Sequence, residues 1–212
     1  FVAVALALLV EEGRLAWHDR VADRLPGFRL YDGFATLEMT VIDLLVHNSG
    51  LGTGAGDLLF FPPTELTRAQ IVERLRHIRP VRSFRSGFAY DNVLYIAAER
   101  LVEVLSGSSW EQFVRQRLFE PLGMRDAVAS PAELRSRNFG WPHGRISGPL
   151  RGVGPLEPLA SGADFGDPAK ASLAGSIMAS ASDMVRWLQL LLNEGQLPDG
   201  PRLYGPDSAR EL

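Results

Sequence analysis

The pattern of apolar and polar positions predicts a chain that is mostly helical. The residues from Phe1 to Val10 are apolar on every side of a helix, which is typical of a helix buried between two layers, and Gly13 supplies a C-terminal stop. Further apolar stretches recur at helical spacing behind polar residues that commonly cap helices. The predicted helices start at Asp19, Thr40, Thr67, Asn92, Ser109 and Ser180. No apolar–polar alternation typical of a strand extends over four residues.

The sequence predicts where two of the early helices begin and end. Asp19 is a good N-cap for a short helical turn that ends before Pro26. Thr40 with Asp43 three residues later resembles a capping box, so a helix should follow and end in the stretch 47–50.

The helix behind Ser180 is predicted to pack by one apolar side. Ser180 and Asp183 resemble a capping box, and Gly195 is the expected stop. The predicted inner side comprises Met184, Val185, Leu188, Leu191 and Leu192. Before this helix, the segment from Pro131 to Pro168 is rich in proline and glycine and has no lasting apolar period. A segment of this kind is either a functional covering, a connection between subdomains, or simply mobile.

Composition and charge exclude several classes of function. The 212 residues include 22 Lys and Arg against 25 Asp and Glu, a formal net charge of −3, so there is no strongly basic field for nucleic acid. The absence of cysteine excludes disulfides, a thiolate nucleophile and a cysteine-rich zinc site. The longest apolar run has about half the length that a membrane-spanning helix requires. The four histidines are too widely spaced for a metal site, and no phosphate or dinucleotide loop indicates a cofactor.

Three polar features have open or limited interpretations. His47, at a predicted helix end, can act as a general base or as a residue that caps the helix and interacts with its dipole. The basic stretch from Arg74 to Arg85 fits a solvated surface better than an anion-binding patch, because its charges scatter around a helix and across a proline turn. Lys170 is the single lysine and therefore the one candidate for lysine-dependent catalysis within the chain.

Tyr90-Asp91-Asn92 stands at the entrance to a strongly predicted helix. Tyr-x-Asn in this place resembles the second motif of the serine β-lactamase and penicillin-binding-protein superfamily, in particular its class C, esterase and D-stereospecific peptidase branch. Four other stretches resemble segments of that family in the same order. They are 8–15 (the end of the helix that carries Ser-x-x-Lys), 44–51 ("LLxHxSGL"), 121–124 ("PLGM") and 174–192 ("AG-small-x-S-x-x-D-M").

The resemblance implies acyl transfer by a serine nucleophile, with Tyr90 as the proton-transfer partner. A phenol is a weak base at neutral pH, so it needs a neighbouring cation such as the family's lysine. Asn92 would offer its amide to the substrate carbonyl and to that lysine, and both side chains should face a cavity bordered by the first helix. Asp91 would point elsewhere as a helix-start charge. The loop 51–61 and the segment 131–168 are expected to wall the substrate cleft.

The resemblance also implies an α+β fold for the complete protein, a helical region packed on an antiparallel sheet flanked by helices, of which this chain supplies a predominantly α part. Residues 1–30 would be a truncated core helix and its connection, 31–170 the helical region, and 171–212 a helix that returns toward the sheet. Ser-x-x-Lys would precede Phe1 and Lys/His-x-Gly would follow Leu212, so the chain alone is expected to be inactive.

Two classes of function remain open for the parent protein. One is a serine hydrolase that forms an acyl-enzyme with an ester, a β-lactam or a D-amino-acid amide. The other is a catalytically silent relative that senses a ligand or binds a protein, in which Tyr90 is an ordinary half-buried aromatic and Asn92 a helix cap. The expected partner is a small-molecule ester, lactam or peptide, without cofactor or metal, and the oligomeric state is open. Only the resemblance favours a periplasmic or secreted location.

Overall fold

The computed structural model describes residues 1–61, 64–130, 133–134, 138, 140, 143–145, 152–158, 177–197 and 200–212. In chain order its helices are α1 (Val2–Glu11), α2 (Val21–Arg24), α3 (Gly33–Glu38), α4 (Arg68–Arg74), α5 (Val93–Ser106), α6 (Trp110–Val114), α7 (Glu120–Leu122), α8 (Ala181–Leu192) and α9 (Pro206–Glu211). Short 3-10 turns cover Ile42–Leu44, Asp57–Leu59 and Leu75–His77, and the π-helical stretch Arg115–Phe119 joins α6 to α7. Within the described ranges the sheet consists of β1 (His143–Gly144) and β2 (Glu157–Pro158), paired antiparallel.

Helix α1 lies at the centre of the core. All six residues from Val4 to Leu9 are buried, as the uniformly apolar pattern predicts, and α5 packs along the helix. The N–H of Gly13 bonds to the carbonyl of Val10 at the helix end, with Gly13 in the left-handed conformation that glycine adopts without steric cost. The prediction of a buried opening helix is therefore confirmed.

The boundaries of α4, α5 and α6 follow their sequence signals. Thr67 and Gln70 form a complete capping box at the start of α4. Gly107, in the left-handed conformation, ends α5, and the Ser109 hydroxyl accepts the N–H of Gln112 at the start of α6. Beyond α6 the helical backbone continues through Pro121. This proline lies in the first turn of α7, where its lack of a backbone N–H is tolerated.

A buried ionic cluster joins these three helices. The Arg68 guanidinium of α4 contacts Glu99 at 2.8 Å and Glu103 at 3.1 Å, both on α5, and Glu111 of α6 at 2.7 Å. Burial raises the pKa of Glu99 to about 7, an effect that the attraction of Arg68 reduces only in part. Glu103 also pairs with Arg100 at 2.9 Å, whereas Glu99, the most deeply buried carboxylate, has Arg68 as its ion-pair partner and its charge stays undercompensated.

Two predicted helix starts are wrong in detail. Arg20, not Asp19, occupies the N-cap position of α2, since the Asp19 carboxylate accepts the N–H of Ala16 and the Arg24 guanidinium instead. Behind Thr40 there is only the 3-10 turn Ile42–Leu44. The backbone N–H and the hydroxyl of Thr40 both donate to Asp43, but the turn has no side-chain cap that accepts one of its own N–H groups, so only half of the expected capping box is present.

Helix α8 faces the core with a different side from the predicted one. Ser180 caps it by accepting the N–H of Asp183, and Gly195 follows its end with φ 88, as expected. Its buried residues, however, are Asp183, Trp187 and Leu190. Met184 is only partly buried, and the other four predicted inner residues are exposed, namely Val185, Leu188, Leu191 and Leu192. The Trp187 ring stacks on Phe1 at 3.9 Å between centroids, and this contact helps orient the helix.

Several expectations fall outside the described residues. These are most of the segment 131–168, Lys170, and residues 174–176 of the resemblance. Among the described helices, none has the length and apolar character needed to cross a membrane.

Candidate active site

Tyr90 and Asn92 lie at the N-terminal end of α5, the helix that packs along the buried α1. The Tyr90 side chain is 51% exposed, and its hydroxyl forms no hydrogen bond with a described residue. Asn92 occupies the N-cap position of α5, but its side chain makes no capping hydrogen bond. Tyr90 is thus half exposed and Asn92 partly buried at the start of α5, and the Asn92 side chain does not cap the helix.

His47 holds the motif from one side. Its carbonyl accepts the N–H of Ala89 at 2.9 Å, and its Nδ1 accepts the N–H of Asp91 at 3.2 Å. Its ring lies 4.5 Å from that of Tyr90, centroid to centroid. With Nδ1 engaged as an acceptor, the proton of neutral His47 is on Nε2. This geometry assigns His47 to positioning Tyr90 and the backbone around it.

Asp91, between the two motif residues, turns into the interior. It is fully buried, and its Oδ2 accepts the Ser49 hydroxyl at 2.9 Å. Burial raises the pKa of Asp91, while the Ser49 hydrogen bond and the nearby His47 oppose that rise. Asp91 is thus a buried acceptor that anchors the motif. The backbone N–H of Leu94, in the first turn of α5, also opposes the rise in its pKa, as expected of a charge at the helix start.

The loop before α4 holds the motif from the other side. The Gly54 N–H donates to the Tyr90 carbonyl at 2.9 Å. The Asn92 Nδ2 donates to both carboxylate oxygens of Asp57, at 3.2 and 3.3 Å. The sequence prediction that the stretch 51–61 borders the site is consistent with these contacts, although the chemistry of Asp57 in them was not predicted.

A second carboxylate supports the backbone that carries His47. Burial alone would raise the pKa of Asp43, but hydrogen bonds from Arg85, Thr40 and Asn48 lower it to about 2. The Arg85 guanidinium also donates to the Glu38 carbonyl, and the backbone N–H of Arg85 donates to the carbonyl of Asn48. At least this member of the basic stretch is therefore more than a solvated surface charge, because it fastens the segment 43–48 to its surroundings.

Sequence reasoning missed Asp57, and it missed the tasks of Ser49 and Asp91. Asp57 and Ser49 lie 35 and 42 residues before their partners, so no local spacing relates them. Over the described part of the chain, no group of three His, Cys, Asp or Glu side chains is arranged to hold a metal ion.

Comparison with known proteins shows the family and the fold. The family model described as beta-lactamase matches residues 1–210. Penicillin-binding protein 4 of Amycolatopsis lactamdurans is 30% identical over 217 residues, covering 99% of this chain and 52% of that protein. The octameric penicillin-binding protein homologue from Pyrococcus abyssi superposes with a TM-score of 0.77 at 20% identity, over 99% of this chain and 45% of that one. A D-stereospecific amidohydrolase from Streptomyces gives 0.75 at 22% identity, over 99% and 61%.

The chain thus spans about half the length of the curated relative that it matches. The likeness to the two solved structures shows the fold, and it confirms the predicted β-lactamase-like architecture with a mainly helical part in this chain.

Proposed function

Because the chain belongs to the beta-lactamase family, we propose that the whole protein is a serine hydrolase that forms an acyl-enzyme with an ester, a β-lactam or a D-amino-acid amide. The proposal assigns proton transfer to the Tyr90 hydroxyl and orientation of the substrate to the Asn92 carboxamide. Penicillin-binding proteins and a D-stereospecific amidohydrolase among the relatives and structural neighbours support a hydrolase.

One observation carries the assignment of Tyr90. The partly buried Tyr95 satisfies its hydroxyl within the protein by donating to the Leu45 carbonyl at 2.9 Å. Tyr90 leaves its hydroxyl unbonded among the described residues while His47 and Gly54 hold its ring and backbone in place. A polar group that is held firmly but left free is suited to reaction with a substrate.

In the proposed reaction Tyr90 acts as the phenolate that a neighbouring cation favours. The serine oxygen attacks the acyl carbon, its proton passes to the Tyr90 phenolate oxygen, and Tyr90 then gives this proton to the leaving group and becomes a phenolate again. Water releases the acyl group in the second half-reaction. No Ser-x-x-Lys occurs in the 212 residues. The proposal therefore places the nucleophile and the cation that activates Tyr90 in other parts of the whole protein, and it expects residues 1–212 alone to be inactive.

The decisive experiment is active-site labelling of the full-length protein with a fluorophosphonate or a fluorescent penicillin. We expect Tyr90→Phe to slow acylation by about 10²- to 10⁴-fold, the range for loss of a proton-transfer group. Tyr31→Phe is the matched control, because Tyr31 is 50% exposed, lies between α2 and α3, and loses the same atom.

Two results would contradict the proposal. Unchanged acylation in Tyr90→Phe would remove Tyr90 from the mechanism. Absence of labelling in the wild-type protein with both probes would favour the silent ligand- or protein-binding relative instead.

A further inference from the structure

We propose that Asp57 is a positioning residue of this site, whose carboxylate holds the Asn92 carboxamide in one of its two orientations. In that orientation Nδ2 faces Asp57, while Oδ1 and the second Nδ2 proton remain available on the other side. The role in turnover rests on the proposed function, but the positioning itself does not.

The hydrogen-bonding capacity of the two groups decides the orientation. An ionised carboxylate only accepts, so it can face the NH₂ end of an amide but not the oxygen end. The two distances from Nδ2, 3.2 and 3.3 Å, place the donor between both Asp57 oxygens. A flipped carboxamide would bring Oδ1 against two carboxylate oxygens, and their repulsion disfavours it.

No capping bond of α5 restrains the Asn92 side chain from its other end. A helix cap would otherwise fix an asparagine at this position by accepting a backbone N–H with Oδ1. Since Oδ1 forms no hydrogen bond with a described residue, Asp57 is the group that restrains this carboxamide. Oδ1 is then available to accept an N–H from a lysine ammonium or from a substrate amide.

Asp57 is itself held in place by its loop. Its N–H donates to the Gly54 carbonyl at 3.1 Å, and its carbonyl accepts the N–H of Phe61 at 2.7 Å. Gly54 in turn bonds to the backbone of Tyr90, so one loop holds both motif residues. A carboxylate on a backbone fixed at these points can define the position of its partner.

Close packing of Gly56 fixes the distance between this loop and α5. Gly56 has φ 88, and a Cβ there would lie 2.8 Å from Cδ1 of Ile78 and 3.2 Å from Cγ2 of Val93, the first residue of α5. A side chain at Gly56 would be strained by the positive φ and would require the Ile78 or Val93 side chain to shift. In the described residues Asp57 has no ion pair with a lysine or arginine that would pull its carboxylate away from Asn92.

A double-mutant cycle in the full-length protein tests whether Asp57 acts through Asn92. Asp57→Ala alone should lower the acylation rate constant by about 10- to 100-fold, chiefly in kcat rather than KM, since misplacement by about 1 Å has effects of this size. In the Asn92→Ala background the same substitution should change the rate by less than about twofold. An equal effect in both backgrounds, or no effect in either, would overturn the proposal.

A second measurement keeps the test independent of catalysis. The two Nδ2 proton resonances of Asn92, observed by ¹⁵N NMR, should shift and broaden in Asp57→Asn, where either end of the new amide can face Asn92. Asp23→Asn, an exposed aspartate on α2, is the control and should leave them unchanged.

The two readouts separate the possible failures. Unaltered Asn92 resonances in Asp57→Asn would overturn the positioning role, whatever the activity. Altered resonances in a protein that no probe labels would uphold the positioning role and refute the hydrolase.

Discussion

At the scale of single residues, the candidate site depends on side chains that hold Tyr90 and Asn92 in place. His47 has the left-handed backbone conformation (φ 57), which is uncommon for a residue with a side chain. Its carbonyl and its Nδ1 accept two N–H groups of the stretch 89–91, and its ring lies against Tyr90. To the two tasks that the sequence left open for His47, general base or helix cap, these contacts add a positioning role.

Ser49→Ala tests the anchor beneath the motif. The substitution removes a hydroxyl that donates to buried Asp91 and accepts the N–H of Leu51, so the free energy of unfolding should fall by about 1–3 kcal/mol. The pKa of Asp91 should rise further, because the Ser49 hydrogen bond opposes the effect of burial.

Urea denaturation and an NMR titration of the Asp91 side-chain carbon measure these two effects. Ser86→Ala is the control, since the Ser86 hydroxyl bonds at the exposed surface to the Ser83 carbonyl. A stability loss no larger than that of the control would show that Asp91 does not need this donor.

At the scale of elements, local capping signals and tertiary packing determine different things. The capping residues of α4, α6 and α8 were predicted correctly, because a cap is a contact between residues three apart. The buried side of α8 was predicted wrongly, because its apolar residues allow more than one apolar face and tertiary contacts select between them, among them the stacking of Trp187 on Phe1 and the hydrogen bond from the Asp126 N–H to Asp183.

Glu99→Gln tests the ionic cluster that joins α4, α5 and α6. The folded protein holds a proton on Glu99, with a pKa of about 7, more tightly than the unfolded chain does near 4.5. The contribution of this group to stability is therefore largest below pH 4.5 and declines as the pH rises toward 7.

We expect the wild-type protein to lose stability over that interval and Glu99→Gln to lose less, because a neutral amide has no proton to release. Denaturation midpoints at about pH 5 and about pH 8 measure the difference. Glu73→Gln, an exposed position on α4, is the control. Equal pH dependence in Glu99→Gln and wild type would show that burial does not penalise the Glu99 charge.

At the scale of the whole molecule, α1 is enclosed while α8 leaves an apolar side in solvent. Leu6 on α1 is fully buried, whereas Leu192 on α8 is 82% exposed. Leu6→Ala should therefore lower the free energy of unfolding by about 2–5 kcal/mol, and Leu192→Ala should change it by no more than about 0.5 kcal/mol. Chemical denaturation of both variants makes the comparison, and similar losses would contradict this placement of the core.

The amino-acid sequence by itself determined the helical character of the chain, the burial of α1, most helix ends and the location of Tyr90 and Asn92 at the start of α5. These features depend on apolar periodicity and on contacts within one or two helical turns, which are visible in a linear pattern. Only the tertiary structure decided that His47, Ser49 and Asp57 hold that motif and that α8 packs through Trp187. These contacts join residues dozens of positions apart, and their partners depend on how the intervening backbone folds, which no local spacing specifies.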